Sequence, residues 1–308
     1  MKYRFRSISA VVILLFLCFS INLFPNPGTA SEKPQNVILI GWDGAQRNHI
    51  KECLERKELP NLLQLSKEGT VVSIDILRTT DTKAGWSQIL SGYEPETTGV
   101  FSNKTYKPIP IGLTIFERLE TFFGTKKIYT GAIIGKKDNV DNTEGKPFFN
   151  CTQKMDLFLN GLTYNSLVGL YTLSIIESNQ KNQFFLFVHF AEVDSYGHQF
   201  GENSKEYNNA LISSDYWTGE IMNTLKELGL YEQTKIYITS DHGFDEGKNS
   251  HNDAPYVFLG TNDKGVIRCG TRADITPTIL DRMGVPLDTL KPKLDGHSLL
   301  RPFTEPIW

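Results

Sequence analysis

Short, densely apolar runs alternate along this chain with longer stretches whose apolar residues recur every three or four positions. The runs at 36–40, 70–77, 127–134, 184–190, 235–239 and 256–259 predict strands. The stretches at 59–67, 86–92, 114–123, 162–177, 206–228 and 274–283 predict helices, with Gly41, Gly124 and Gly284 as stops. The run at 184–190 is almost wholly apolar, the pattern of a central strand covered on both faces. The stretch at 162–177 is nearly apolar enough for a membrane span, but Asn165 and Ser166 interrupt it, so it reads as a packed helix. Such alternation specifies an α/β protein, a three-layer α/β/α sandwich around a mostly parallel central sheet. No repeat, linker or compositional break divides residues 31–308, which predicts one domain there.

The first thirty residues stand apart. Lys2, Arg4 and Arg6 precede an apolar run from 8 to 24, and Pro25-Asn26-Pro27 breaks it ahead of Gly28-Thr29-Ala30. That is the layout of a secretory signal peptide cut after Ala30, with an uncleaved membrane anchor as the alternative. Cleavage removes three basic and no acidic residues, so the net charge moves from −3 to −6. With no basic patch interleaved with aromatics, nucleic acid is a poor partner. A membrane enters only through an uncleaved N-terminus. Cys53, Cys151 and Cys269 allow at most one disulfide and show no Cys-x-x-Cys spacing, which argues against thiolate metal ligation.

Chemistry enters with Asp241-His242, which the strand 235–239 delivers one residue past its end and Gly243 follows at once. A carboxylate and an imidazole then stand at the end of a buried strand, the edge where open α/β sheets bind ligands. Four other segments supply partners. Asp43 ends the first strand between Gly41 and Gly44. Asp194 and His198 lie four residues apart, just past 184–190, and share one face if they occupy a helical turn. His251 lies in a polar loop after Asp241-His242, and His297 competes with it as third histidine ligand. Thr82 precedes the helix at 86–92, where the free N–H groups and dipole of a helix N-terminus favour attack on an anionic ester. Thr79 and Thr80 are its rivals on chemistry alone. His189 reads as a core histidine and His49 as a surface one.

Sorted by type, these groups predict two metal sites. One uses Asp194, His198 and His251. The other uses Asp43, Asp241, His242 and the Thr82 oxygen. Two divalent cations about 4 Å apart could hold both the attacking and the leaving oxygen of an in-line displacement. Carboxylate and imidazole without thiolate fit Zn²⁺ best, with Mn²⁺ or Mg²⁺ as alternatives. The chemistry is that of a phosphoric ester hydrolase. Its substrate would be a small-molecule, glycan-linked or lipid-linked phosphate ester.

Taken in order, these segments resemble the alkaline phosphatase superfamily, specifically its type I phosphodiesterase/nucleotide pyrophosphatase branch. The likeness rests on Asp43, on residues 82–100 with Ser91-Gly92-Tyr93-Glu94-Pro95-Glu96 and Gly99, on Asp194 and His198, on Asp241-His242-Gly243, and on His251 ahead of Ala254-Pro255. The tail, Asp274-Ile275-Thr276-Pro277-Thr278 and Leu294-Asp295-Gly296-His297-Ser298-Leu299, is similar to that of sulfatases and metal-dependent phosphomutases. The resemblance implies an alkaline-phosphatase-like fold. It picks Thr82 over its neighbours as nucleophile, through a covalent phosphothreonine, and puts Asn103 in the place of a phosphate-binding asparagine. Monoesterase relatives add a cation, for which Lys137 is the candidate here and Lys136 the fallback.

Gly85-Trp86 departs from the Asn-His of many phosphodiesterases. The Cys/Ser-x-Pro-x-Arg signature of sulfatases is missing, which argues against a formylglycine sulfatase. A phosphoryl or phosphoethanolamine transferase is the nearest rival, because Phe187-Val188-His189-Phe190 followed by Asp194 and His198 is similar to glycolipid-modifying transferases. The loop 138–160, with Phe148, Phe149 and Phe158, offers contacts to a leaving group.

Overall fold

The apolar runs become strands of a single eight-stranded sheet in the computed structural model, which describes residues 36–151, 154–254 and 256–303. The leader reading of residues 1–30 lies outside them. The strands are β1 (Asn36–Trp42), β2 (Thr70–Asp75), β3 (Tyr129–Ile134), β4 (Leu157–Leu159), β5 (Phe184–Phe190), β6 (Thr234–Thr239), β7 (Tyr256–Thr261) and β8 (Gly270–Thr271). Their order across the sheet is 4-3-5-1-6-7-2-8. Only β7 runs against the rest, pairing antiparallel with both β6 and β2. The helices are α1 (Arg47–Glu55), α2 (Pro60–Glu68), α3 (Thr82–Ser91), α4 (Pro95–Thr98), α5 (Ile115–Phe123), α6 (Asn165–Ser178), α7 (Glu192–Phe200), α8 (Lys205–Glu227) and α9 (Ile275–Arg282).

Alternation along the strands divides the core in two. On β1, Val37 and Leu39 face α3, α5 and α9, while Ile38 and Ile40 face α1, α2, α6 and α8. On β5, Phe185 and Phe187 join the first cluster, and Leu186 and Val188 the second. Both faces of the central strands are therefore covered, and every residue of β1 and β5 is buried. This is the expected three-layer sandwich. α6 packs against α8, and no helix among the described residues is long and apolar enough to cross a membrane.

Several local expectations need correction. β1 does not stop at Gly41 but runs on to Trp42. Glycine is required at 41 for space: a Cβ there would lie 2.3 Å from the Trp86 ring. α3 begins four residues earlier than the apolar pattern indicates, at Thr82 itself, with Asp81 as N-cap. α1 was invisible as a polar segment; the Gln46 side chain caps it by accepting from the His49 N–H at 2.8 Å. His49 is buried against Glu202, not on the surface. Phe148 is a core residue and so is not available to a leaving group. Cys53, Cys151 and Cys269 are all free.

Phe185→Ala removes a buried ring that packs edge-on against Phe116, with centroids 5.3 Å apart, on the face away from α7. It should destabilise the protein by about 3–5 kcal/mol. A urea unfolding midpoint unchanged from that of the unmodified chain would contradict this packing.

Candidate active site

Each candidate site segment follows the C-terminal end of a parallel strand. Asp43 follows β1, Lys136 follows β3, α7 follows β5, and Asp241-His242 follow β6. Thr82 opens α3 after β2, and His251 sits in the loop between β6 and β7. Sheet topology alone thus collects residues up to 208 positions apart in sequence on one edge. Gly44 makes the turn after Asp43 with φ +77, and a Cβ there would meet the Asp194 backbone at 2.9 Å. The two carboxylate-bearing segments can approach because nothing stands between them.

His242 is the hub. Its Nε2 lies 3.1 Å from Thr82 Oγ1, 3.4 Å from Asp43 Oδ1, 3.5 Å from Asp241 Oδ2 and 3.7 Å from Asp194 Oδ1. Its Nδ1 faces the Gly243 carbonyl at 3.1 Å. The His251 ring stacks on it at 3.9 Å between centroids, and His251 Nδ1 lies 3.3 Å from Thr80 Oγ1. α7 puts Asp194 and His198 on one face, with Oδ1 and Nε2 3.3 Å apart. His198 Nδ1 donates to the Asn249 carbonyl at 3.0 Å, which turns Nε2 toward Asp194 with its lone pair unused.

Two groups of ligand atoms converge closely enough to hold an ion. One is Asp194, His198 and His251, the first predicted set unchanged. The other is Asp43, Asp194 and His242. In that second group Asp194 stands where Asp241 was expected, although Asp241 remains within 3.5 Å of His242. His297 belongs to neither. Its N–H donates to Asp274, and its ring lies beside Phe303 in a separate cavity of about 590 Å³ lined also by Arg268.

Lysine reaches the cluster through Lys136, whose Nζ lies 2.6 Å from Asp194 Oδ2. Lys137 is exposed, and no contact joins it to the cluster among the described residues. Asn103 is fixed at the start of α3. Its N–H donates to Asp81 Oδ2 at 3.1 Å, and its Oδ1 accepts from the Lys83 N–H at 3.0 Å. The bond from Lys83 assigns the side-chain oxygen, so the amide N–H₂ is left to face a ligand.

A second layer was missed in the sequence. Asp43 Oδ2 accepts from three groups: Asn139 Nδ2, His189 Nε2 at 2.8 Å and Trp86 Nε1 at 3.3 Å. The other oxygen, Oδ1, is thereby aimed at His242. His189 is buried as expected, but its role is to orient Asp43. A signal existed: a histidine in an otherwise apolar strand needs a buried acceptor, and β1 is the neighbouring strand. Arg272 gave no such signal. It is buried and straps two loops, donating to the Asp241 carbonyl at 2.7 Å and the Thr79 carbonyl at 2.8 Å.

The electrostatics are those of a crowded anionic site. Burial works to raise Asp43, but the His189 hydrogen bond and the His242 imidazole beside it hold it well below the usual carboxylate value. Burial and the Asp43 charge push Asp241 well above it. Burial works to lower His242, yet Asp241, Asp43 and Asp194 together drive it up to about 10. Burial and the His242 charge hold His251 down at about 4. A protonated His242 thus offsets part of the carboxylate charge. Asp43 Oδ1, Asp194 Oδ1 and both Asp241 oxygens are buried without a hydrogen-bond partner. Orphaned carboxylate oxygens beside imidazole nitrogens, with no thiolate near, are a donor set that fits divalent cations.

Comparisons with known proteins show the family and the fold. The family described as type I phosphodiesterase/nucleotide pyrophosphatase matches residues 37–110 and 138–278. The chain is 25% identical over 244 residues to bis(5'-adenosyl)-triphosphatase ENPP4 of Bos taurus, covering 75% of this chain and 52% of that protein. It spans about half the length of that relative. Among solved structures it is similar to the lipoteichoic acid synthase LtaP of Listeria monocytogenes, with TM-score 0.62 and 14% identity over 88% of this chain and 76% of that one. It is also similar to alkaline phosphatase from the Antarctic bacterium TAB5, with TM-score 0.56 and 14% identity over 82% and 98%. These likenesses show an alkaline-phosphatase-like fold.

The raised His242 value fixes the sign of a pH dependence. In the metal-free protein its proton supports the fold fully below about pH 6.5, and that support is lost as pH climbs through about 10. Cation uptake at pH 7 must therefore release protons, and Zn²⁺ affinity should rise with pH until near 10. Calorimetry in two buffers of different ionisation enthalpy measures the release. Uptake without proton release would contradict the protonated cluster.

Proposed function

The chain belongs to the type I phosphodiesterase/nucleotide pyrophosphatase family, and from that premise we propose that it is an exported metal-dependent hydrolase of phosphoric esters with Thr82 as nucleophile. The observation that carries this reading is the 3.1 Å approach of Thr82 Oγ1 to His242 Nε2, in the first turn of α3, beside carboxylate oxygens that lack partners. The catalytic unit is the single domain over residues 31–308, and the leader over residues 1–30 accounts for export.

Divalent cations held by Asp43, Asp194, His198, Asp241, His242 and His251, Zn²⁺ the best fit, would polarise a phosphoryl oxygen and neutralise the carboxylates. Thr82 Oγ1 attacks phosphorus in line, forming the Oγ1–P bond as the ester oxygen leaves as an alcohol. Water then cleaves the phosphothreonine and regenerates the hydroxyl. The positive end of the α3 dipole favours the anion throughout, since Thr82 is the first residue of that ten-residue helix. Asn103 donates its amide N–H₂ to a non-bridging oxygen. Lys136 provides the cationic group on the same rim. The substrate is a small-molecule phosphate ester.

Thr82→Ala should lower turnover of p-nitrophenyl phosphate or bis-p-nitrophenyl phosphate about a thousandfold or more. Metal content should stay within experimental scatter, since Thr82 supplies only a hydroxyl. The assay is run with Zn²⁺, Mn²⁺ and Mg²⁺ in parallel. Retained turnover removes Thr82 from its role. Labelled phosphoryl groups appearing on an added alcohol, and not as free phosphate, would replace the hydrolase by a transferase.

A further inference from the structure

A second buried ion pair lies outside the cluster just described. His49, near the start of α1, places Nδ1 2.6 Å from Glu202 Oε1, in the turn between α7 and α8. Its other nitrogen, Nε2, lies 3.1 Å from Asn208 Oδ1. That atom is fixed as the oxygen because Arg56 Nη2 donates to it at 3.0 Å. With an acceptor at each ring nitrogen, both carry protons and His49 is an imidazolium. Both partners are almost fully buried.

Burying two charges is costly unless the remaining lone pairs are used, and here they go to one loop. Glu202 Oε2 accepts from the Gly247 N–H at 3.0 Å, and the Glu202 N–H donates to the Lys248 carbonyl at 2.9 Å. The loop is closed on itself by Asp245, which accepts from the Ser250 hydroxyl and the Asn252 and Asp253 N–H groups. The next carbonyl along, that of Asn249, holds His198 Nδ1, and two residues on stands His251. Three segments that carry site residues meet at this pair: α1 following Asp43, α7 with Asp194 and His198, and the loop with His251.

We propose that His49 and Glu202 are positioning residues for the ion-binding group Asp194, His198 and His251. The inference rests on reading that group as cation ligands. The pair fixes Gly247 and Lys248, and through them sets both the tautomer of His198 and the place of His251. A displaced loop would disturb two of the three ligands at once. Supporting groups of this kind commonly change metal affinity by about ten- to a hundredfold.

Co²⁺ is the probe, because its visible absorption reports ligand geometry without any substrate. In the full-length protein, Glu202→Ala and His49→Ala should weaken one of two Co²⁺ equivalents about tenfold or more and shift its visible band. Glu202→Gln, which keeps an acceptor for Gly247, should recover affinity to within about threefold of the unmodified protein. A folded Glu202→Ala protein with a lowered urea midpoint but an unchanged Co²⁺ affinity and band would make the pair merely structural and overturn the proposal. If the alanine variants do not fold, amide exchange at Gly247 of the unmodified protein decides. Protection comparable to that of α8 supports the proposal, and exchange at the rate of a free loop sinks it. Failure of the unmodified protein to bind Co²⁺ would instead remove the cation reading, and this inference with it.

Discussion

Three carboxylates, Asp43, Asp194 and Asp241, are buried around one imidazole, and the rest of the sheet edge answers to that concentration of like charge. Buried like charges a few ångströms apart repel strongly in a medium of low polarisability. Lys136 and a protonated His242 offset part of the repulsion. Neither satisfies the orphaned oxygens: the ammonium lies on Asp194 Oδ2, and Asp43 Oδ1, Asp194 Oδ1 and both Asp241 oxygens keep no hydrogen-bond partner. A site that collects anions and withholds their hydrogen bonds is arranged for cations that supply both charge and coordination.

The fold makes such a site tolerable by rigidity. Asp43 is held by three donors from three elements, one of them in the tight contact that Gly41 permits between β1 and Trp86. Asp241 is approached from below by Arg272, which bonds its carbonyl and leaves its carboxylate alone. The second layer therefore aims oxygens without consuming them. Strand order does the coarse assembly, and this buried polar layer does the fine alignment.

This division explains what could be read in the sequence. Strands and the sandwich were legible because burial on both faces writes continuous apolar runs, as at Phe184–Phe190. The ligand candidates were legible because unusual polar residues cluster directly after such runs. Helix α1 was not, since it offers the core only Ile50, Cys53 and a partly buried Leu54 beside the ion-paired His49, and its start depends on a glutamine cap. β4, three residues long, carries too little pattern to be seen. The choice between Lys136 and Lys137 turned on one residue of register at the end of β3. Whether Asp194 or Asp241 completes the tighter group depended on a turn at Gly44 that no periodicity records. His49 misled because its partner lies 153 positions away.

Asp194 also changes how the two candidate ion groups should be regarded. It contributes to both, with Oδ1 between His198 Nε2 at 3.3 Å and His242 Nε2 at 3.7 Å, and with Oδ2 on Lys136. The groups are therefore not two independent cages but one chain of ligands joined at α7. A shift of that helix moves the shared carboxylate and so disturbs both groups at once. α7 is nine residues long and is tied at its start, where Glu192 accepts from the Asn165 N–H at 3.0 Å, and just past its end, where Glu202 meets His49 and the 245–253 loop. Tying both ends of a short helix is what a shared ligand in its first turn requires.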